Sequence, residues 1–219
     1  RMTLDGKILA RTSFDIAVDG LEGITSDAEG RHLYLAREDN NELIKFDIGR
    51  GREVARCPIA EMNGFAAVDS FFAGTPDNKG LEGIAWNATS SSLFVLKEGV
   101  PGMLIEIASD LTAILGRSIL SADRGFVDPG LDADSIDYSG ICYDPTRDAF
   151  WIVSDKARRV YILDRQTDRV LHSAPLGFGD AGEYAEIEKA EGVVYDPDKS
   201  RLYVVSDKEA RLYVFDVRP

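Results

Sequence analysis

One spacing, kept four times, limits what this chain can fold into. Glu22-Gly23-Ile24 leads to Leu33-Tyr34-Leu35 and Glu38, and Glu82-Gly83-Ile84 leads to Leu93-Phe94-Val95 and Glu98. Ser139-Gly140-Ile141 leads to Phe150-Trp151-Ile152 and Asp155, and Glu191-Gly192-Val193 leads to Leu202-Tyr203-Val204 and Asp207. The separation from motif residue to closing acid is constant (22 to 38, 82 to 98, 139 to 155, 191 to 207). A unit repeated at this period buries its apolar face against its neighbours, so the chain reads as an array of similar modules.

The modules are made of strands. Their apolar runs are three to six residues long, rich in Val, Ile, Leu, Tyr and Phe, and separated by Gly, Asp, Asn, Ser and Pro. A third strand recurs at Leu43–Phe46, Leu104–Ile107, Val160–Leu163 and Leu212–Phe215. A fourth follows in three units, at Glu53–Arg56, near Ala113–Leu115, and at Arg169–His172. Asp47, Asp164 and Asp216 close third strands, where an aspartate serves the turn by accepting local backbone hydrogen bonds. No long stretch has a 3.6-residue period, so helices are expected to be few. Units of four antiparallel strands at this spacing predict an all-β propeller, a single domain spanning residues 1–219. Leu4–Arg11 reads as a fourth strand with nothing before it, while the last unit reaches Pro219 without one. The opening strand therefore either completes the last blade, giving four, or ends a further blade.

Charge narrows the function. With 25 basic against 38 acidic residues the net charge is −13, which argues against nucleic acid. No apolar run is long enough to span a bilayer. Cys57 and Cys142 lie far apart without metal-ligand spacing and are expected to be two buried thiols rather than a disulfide.

Antiparallel pairing puts the start of a unit's first strand beside the end of its second. Glu22 with Glu38, Glu82 with Glu98, Ser139 with Asp155, and Glu191 with Asp207 should thus share one face of the disc. The long connections Pro58–Gly80, Leu120–Tyr138 and Ala174–Ala190 enter the innermost strands on that face. The second carries Asp123, Asp128, Asp132, Asp134 and Asp137; the first carries Phe65, Phe71 and Phe72, expected to tuck against the sheets. Seven carboxylates (Glu22, Glu38, Glu82, Glu98, Asp155, Glu191, Asp207) would ring one mouth. Their repulsion must be relieved by protons, by Lys79, Lys97, Lys156, Lys189 or Lys208, or by a cation. An oxygen-only set favours Ca²⁺, then Mg²⁺, over Zn²⁺ or copper. The competing reading is architectural, with Glu accepting a neighbouring blade's backbone hydrogen bonds and Gly permitting close approach.

Other chemistry is sparse. His32 and His172 lack a partner constellation, and GxSxG, HExxH and phosphate-loop motifs are absent. A hydrolase on this scaffold would use a metal-bound water, with Arg124, Arg158 and Arg159 as candidates to meet a phosphate.

The motif residues Gly20–Ile24, Lys79–Trp86 with Phe94–Glu98, Tyr138–Ile141, and Lys189–Val193 with Val205–Asp207 resemble the SdiA-regulated family, the YjiK/CarP group of bacterial envelope propellers. The serine of the third unit matches the family's pattern too. The resemblance runs from about Leu4 to Phe215. It implies a propeller related to phytase-like ones, a place in the periplasm or cell envelope, and for part of the family a link to calcium homeostasis. It also implies five blades, with Met2–Ser13 as the remnant of the first. Together these readings give a non-catalytic, cation-binding propeller. The alternatives are a metal-dependent phosphoesterase or lactonase, and a protein-interaction platform on the loop face.

Overall fold

The computed structural model describes residues 3, 7–9, 16, 18–74, 79–179 and 183–218. The expected strand at Leu4–Arg11 and the blade remnant Met2–Ser13 lie largely outside the described residues.

Among the described residues, four antiparallel sheets follow one another along the chain as blades of a β-propeller. Blade one comprises β1 (Leu21–Ser26), β2 (His32–Arg37), β3 (Glu42–Asp47) and β4 (Arg52–Pro58). Blade two comprises β5 (Leu81–Asn87), β6 (Ser92–Lys97), β7 (Met103–Ala108) and β8 (Ile114–Ile119). Blade three comprises β9 (Gly140–Asp144), β10 (Ala149–Ser154), β11 (Arg159–Asp164) and β12 (Arg169–Pro175). A two-stranded ribbon, β13 (Gly177–Phe178) and β14 (Ala185–Glu186), precedes blade four, which has β15 (Ala190–Asp196), β16 (Arg201–Ser206) and β17 (Arg211–Asp216). Among the described residues the only helices are short 3₁₀ turns in the first two long connections, and none is long and apolar enough to cross a membrane.

The hairpins are set by turn chemistry. Asp47 Oδ1 accepts from the Arg50 N–H at 2.8 Å, Asn87 Oδ1 from Thr89 at 2.8 Å, and Asp164 Oδ1 from Thr167 at 2.6 Å. Each such loop then passes through a left-handed residue, Gly51, Ser91 and Asp168 respectively. The third-strand aspartates at 47 and 164 therefore serve turns, while Asp216 instead accepts from the Arg201 guanidinium at 3.0 Å.

Adjacent blades pack face to face. Tyr34, Ala36 and Leu43 of blade one meet Leu93, Val95 and Ile105 of blade two. Phe94, Leu96 and Leu104 meet Phe150, Ile152 and Tyr161 of blade three, and Trp151, Val153 and Val160 meet Leu202 and Val204 of blade four. Each of these larger buried side chains contributes about 1.5–3 kcal/mol. Phe65, Phe71 and Phe72 of the first connection pack onto the blade one–two core. Both cysteines are free thiols, but each is half-buried rather than fully buried as expected. Cys142 Sγ accepts the backbone N–H of Tyr195 at 3.2 Å across a blade boundary, as Thr25 Oγ1 accepts that of Trp86 at 3.1 Å.

The glycine of the repeat sets how closely the blades approach at the axis. A Cβ on Gly23 would lie 2.5 Å from the Glu82 carbonyl oxygen, and one on Gly83 2.9 Å from that of Ser139. On Gly140 it would lie 2.8 Å from the carbonyl oxygen of Glu191. Each glycine thus receives the peptide of the next blade's motif residue, a contact no other residue type allows.

Candidate metal centre at the acidic mouth

A local irregularity aims the motif carboxylates. In β1 the register passes from Leu21↔Arg37 to Gly23↔Ala36, and in β15 from Ala190↔Ser206 to Gly192↔Val205. In β5 it shifts between Leu81 and Ile84. Glu22, Glu82 and Glu191 therefore occupy β-bulges, which turn a side chain out of the sheet's alternation. Ser139 lies just before β9, whose pairing begins in register at Gly140↔Val153. Its hydroxyl donates to the carbonyl of Ala190, so in the third unit the motif position stitches two blades together.

The mouth is a cavity of about 270 Å³ lined by Glu22, Glu38, Glu82, Glu98, Asp137, Asp155 and Glu191, with Lys79, Lys156 and Lys189 among them. Six of the seven expected carboxylates converge there. Asp207 does not: it is exposed and outside the lining. Asp137 is the acid the spacing did not supply. It is buried, and its Oδ1 accepts from Ser154 Oγ at 2.8 Å and the Lys156 N–H at 2.9 Å. Its membership of the acidic second connection was the signal available in sequence.

The carboxylates fall into two groups. Glu38 and Asp155 act as clips between blades: Glu38 Oε1 accepts the Gly80 N–H at 3.2 Å, and Asp155 Oδ1 accepts the Lys189 N–H at 2.8 Å. In both, the donor sits two residues before the next blade's motif position. Glu82 and Glu98 instead hydrogen-bond to each other, and Glu98 is also ion-paired to Lys79. One oxygen each of Glu38, Glu82 and Glu98 fall within 4.8 Å of one another, close enough to share one ion.

Proton affinities record the crowding. Burial, then the charges of Glu98, Glu22 and Glu38, push the Glu82 carboxyl up to about 10. Burial and the neighbouring Glu38 raise Glu22, and burial and Asp155 raise Glu191. Lys79 is raised, its pairing with Glu98 outweighing its burial.

The other lysines serve different ends. Lys97 is fully buried, donates to the Glu98 carbonyl at 2.8 Å and lies 5.4 Å above the Phe72 ring. Lys208 pairs with Glu188. The arginines considered for phosphate binding do not line the mouth. Arg124 pairs with Asp168, Arg158 with Glu186, and Arg159 Nη1 lies 3.8 Å from Asp128. His32 Nδ1 is 2.8 Å from Asp27 in a hairpin turn, and His172 is exposed.

Repeated antiparallel blades around an axis, with carboxylates gathered at one mouth, define a β-propeller with an acidic, oxygen-rich end. The sequence profile of the SdiA-regulated family matches residues 1–216, and the chain belongs to that family. Among solved structures it is similar to the Myceliophteria thermophila Cps50 (Swd1) β-propeller domain, at 15% identity and a TM-score of 0.57. That match covers 94% of this chain and 55% of the other. The RRP9 WD40 repeats are matched at 12% identity and a TM-score of 0.47, over 90% of this chain and 51% of theirs. The chain thus spans about half the length of the solved propellers it matches, and the likeness speaks for the fold alone.

Proposed function

We propose that this propeller holds a divalent cation, Ca²⁺, at its acidic mouth, in a non-catalytic binding role at the bacterial cell envelope. The observation that carries the reading is the Glu38–Glu82–Glu98 cluster, three carboxylate oxygens within 4.8 Å drawn from two blades. Three carboxylates at one point demand positive charge. A proton on the Glu82–Glu98 pair and the Lys79 amine supply it without metal, and Ca²⁺ supplies more. Glu22 and Asp137 line the same cavity as further oxygen donors, which suits the six to eight ligands of Ca²⁺ better than the compact octahedron of Mg²⁺. The envelope location rests on family resemblance.

Calcium titration by calorimetry, with matched thermal melts in chelator and in excess Ca²⁺, tests this. Saturable heat with a raised melting temperature is expected, because a ligand that binds only the folded state stabilises it. No heat and no shift would leave the carboxylates architectural.

One observation favours a second reading, metal-dependent hydrolysis. A neighbouring cavity of about 430 Å³ shares Lys79, Glu98, Asp137 and Lys156 with the mouth and is walled by Phe71, Val100, Pro101 and Ile136. That volume is in the range of small-molecule sites. Turnover of p-nitrophenyl phosphate or a simple lactone that depends on added Ca²⁺ would select this reading over plain binding.

A further inference from the structure

We propose that the chamber beside the acidic mouth binds a small carboxylic acid with an apolar body, its carboxylate meeting both the Lys156 ammonium and the cation of the mouth. The inference rests on the reading of the mouth as a Ca²⁺ site and names the ligand that such a site would take up from solution.

The repeat departs from its own pattern at one turn. On the mouth face, the second and third strands of blades one, three and four are joined by four residues, Glu38–Asn41, Asp155–Arg158 and Asp207–Ala210. In blade two the turn has five, Glu98–Gly102. Its centre carries Val100 and Pro101, where the other three turns hold only Asp, Glu, Asn, Lys, Arg and Ala. Val100 is 64% exposed and belongs to none of the three blade cores. A longer, apolar turn that serves no core is the kind of local departure that marks a functional position.

That turn forms one wall of the chamber of about 430 Å³. Phe71 of the first connection and Ile136 of the second form others, so three segments distant in sequence bring apolar groups to one space. The charged groups lie where the chamber meets the mouth, at Lys79, Glu98, Asp137 and Lys156. Three of the four are already engaged. Lys79 pairs with Glu98, and Asp137 Oδ1 accepts from Ser154 Oγ and from the Lys156 backbone N–H. The Lys156 ammonium has no hydrogen bond or ion pair among the described residues. An uncommitted cation at one end and apolar walls at the other fit an amphipathic anion.

The charge inventory selects the anion. Phosphate is typically gripped by arginine forks, and no arginine lines the chamber among the described residues. One ammonium beside one metal position suits the single charge of a carboxylate. The acids of the mouth would repel that charge unless Ca²⁺ offsets them, so uptake should depend on the ion.

Calorimetry with 4-phenylbutyrate tests this, after Ca²⁺ binding to the same protein has been measured alone. In saturating Ca²⁺ the probe should bind about tenfold or more tighter than acetate, 4-phenylbutanamide or phenylphosphonate, and tighter by as much than in chelator. Lys156→Met should weaken the probe by about tenfold while Ca²⁺ still binds. Val100→Ser, a change at an exposed position outside the mouth, should weaken it by about fivefold and leave Ca²⁺ binding as in the parent. Saturable Ca²⁺ binding without uptake of 4-phenylbutyrate, equal binding of the amide, tighter binding of phenylphosphonate, or an unaffected Lys156→Met would each overturn the proposal and leave the cation reading standing. Absence of Ca²⁺ binding in the parent would overturn both.

Discussion

The Asp155 carboxylate and the Lys189 backbone N–H are joined at 2.8 Å across the boundary between blades three and four. The same bond recurs between Glu38 and Gly80, at the boundary of blades one and two, two repeats earlier. Removing the acceptor strands a donor at the blade junction. Asp155→Ala should therefore cost about 1–3 kcal/mol, while Asp155→Asn, which keeps an acceptor, should cost less. Urea denaturation of the two variants beside the parent measures the difference.

Gly83→Ala should be among the most damaging single-methyl additions in the chain. The new Cβ would lie within 3.1 Å of three backbone atoms of blade three, and backbone cannot swing aside as a flexible side chain can. A loss of about 2 kcal/mol or more is expected, read as a fall in melting temperature.

Glu82→Gln separates crowding from metal binding. The folded-state proton affinity of Glu82 is raised above its unfolded value, up to about 10. Its contribution is thus fully present below about pH 4.5 and is lost as pH rises toward 10. Without metal the parent should become less stable through that window, and the glutamine variant, which mimics the protonated form, should depend on pH less. At pH 8 in chelator the variant should melt a few degrees higher than the parent, yet calorimetry should find its Ca²⁺ affinity greatly reduced.

Lys79→Ala should act in the opposite sense. In the proposed site the Lys79 amine would compete with Ca²⁺ for Glu98, so its removal should tighten Ca²⁺ binding by about fivefold, or ~1 kcal/mol. Without metal the same change leaves Glu98 short of a counter-charge, and the melting temperature in chelator should fall.

The repeat spacing made the fold legible because an antiparallel hairpin converts sequence distance into position at a sheet end. Glu22, Glu38, Glu82, Glu98, Asp155 and Glu191 therefore meet at one mouth, as their places in the unit imply. That Glu82 and Glu98 lie together was legible too; that they bond to each other while Glu38 and Asp155 clip the next blade was not. The Glu82–Glu98 contact depends on a bulge in β5, and a bulge leaves no mark in the pattern of apolar residues. Asp207 shares the spacing but not the site. Glu38 and Asp155 are each held by a backbone N–H of the blade that follows, and among the described residues no strand follows Asp207 in that position. The arginines at 124, 158 and 159 turned instead to acids that the fold places beside them, Asp168, Glu186 and Asp128.

The glycine contacts have a consequence for ion choice. The peptide of Glu82 rests in the Gly23 notch, and the side chain of the same residue stands in the mouth. Backbone pitch and ligand spacing are therefore one dimension measured at two ends of a single residue. A methyl group at position 23 would push the ring wider and move a Glu82 carboxylate oxygen with it. If the mouth holds the proposed cation, the radius of ion it prefers is thus written into the narrowest residue of the repeat, and evolution could retune it without altering a single carboxylate.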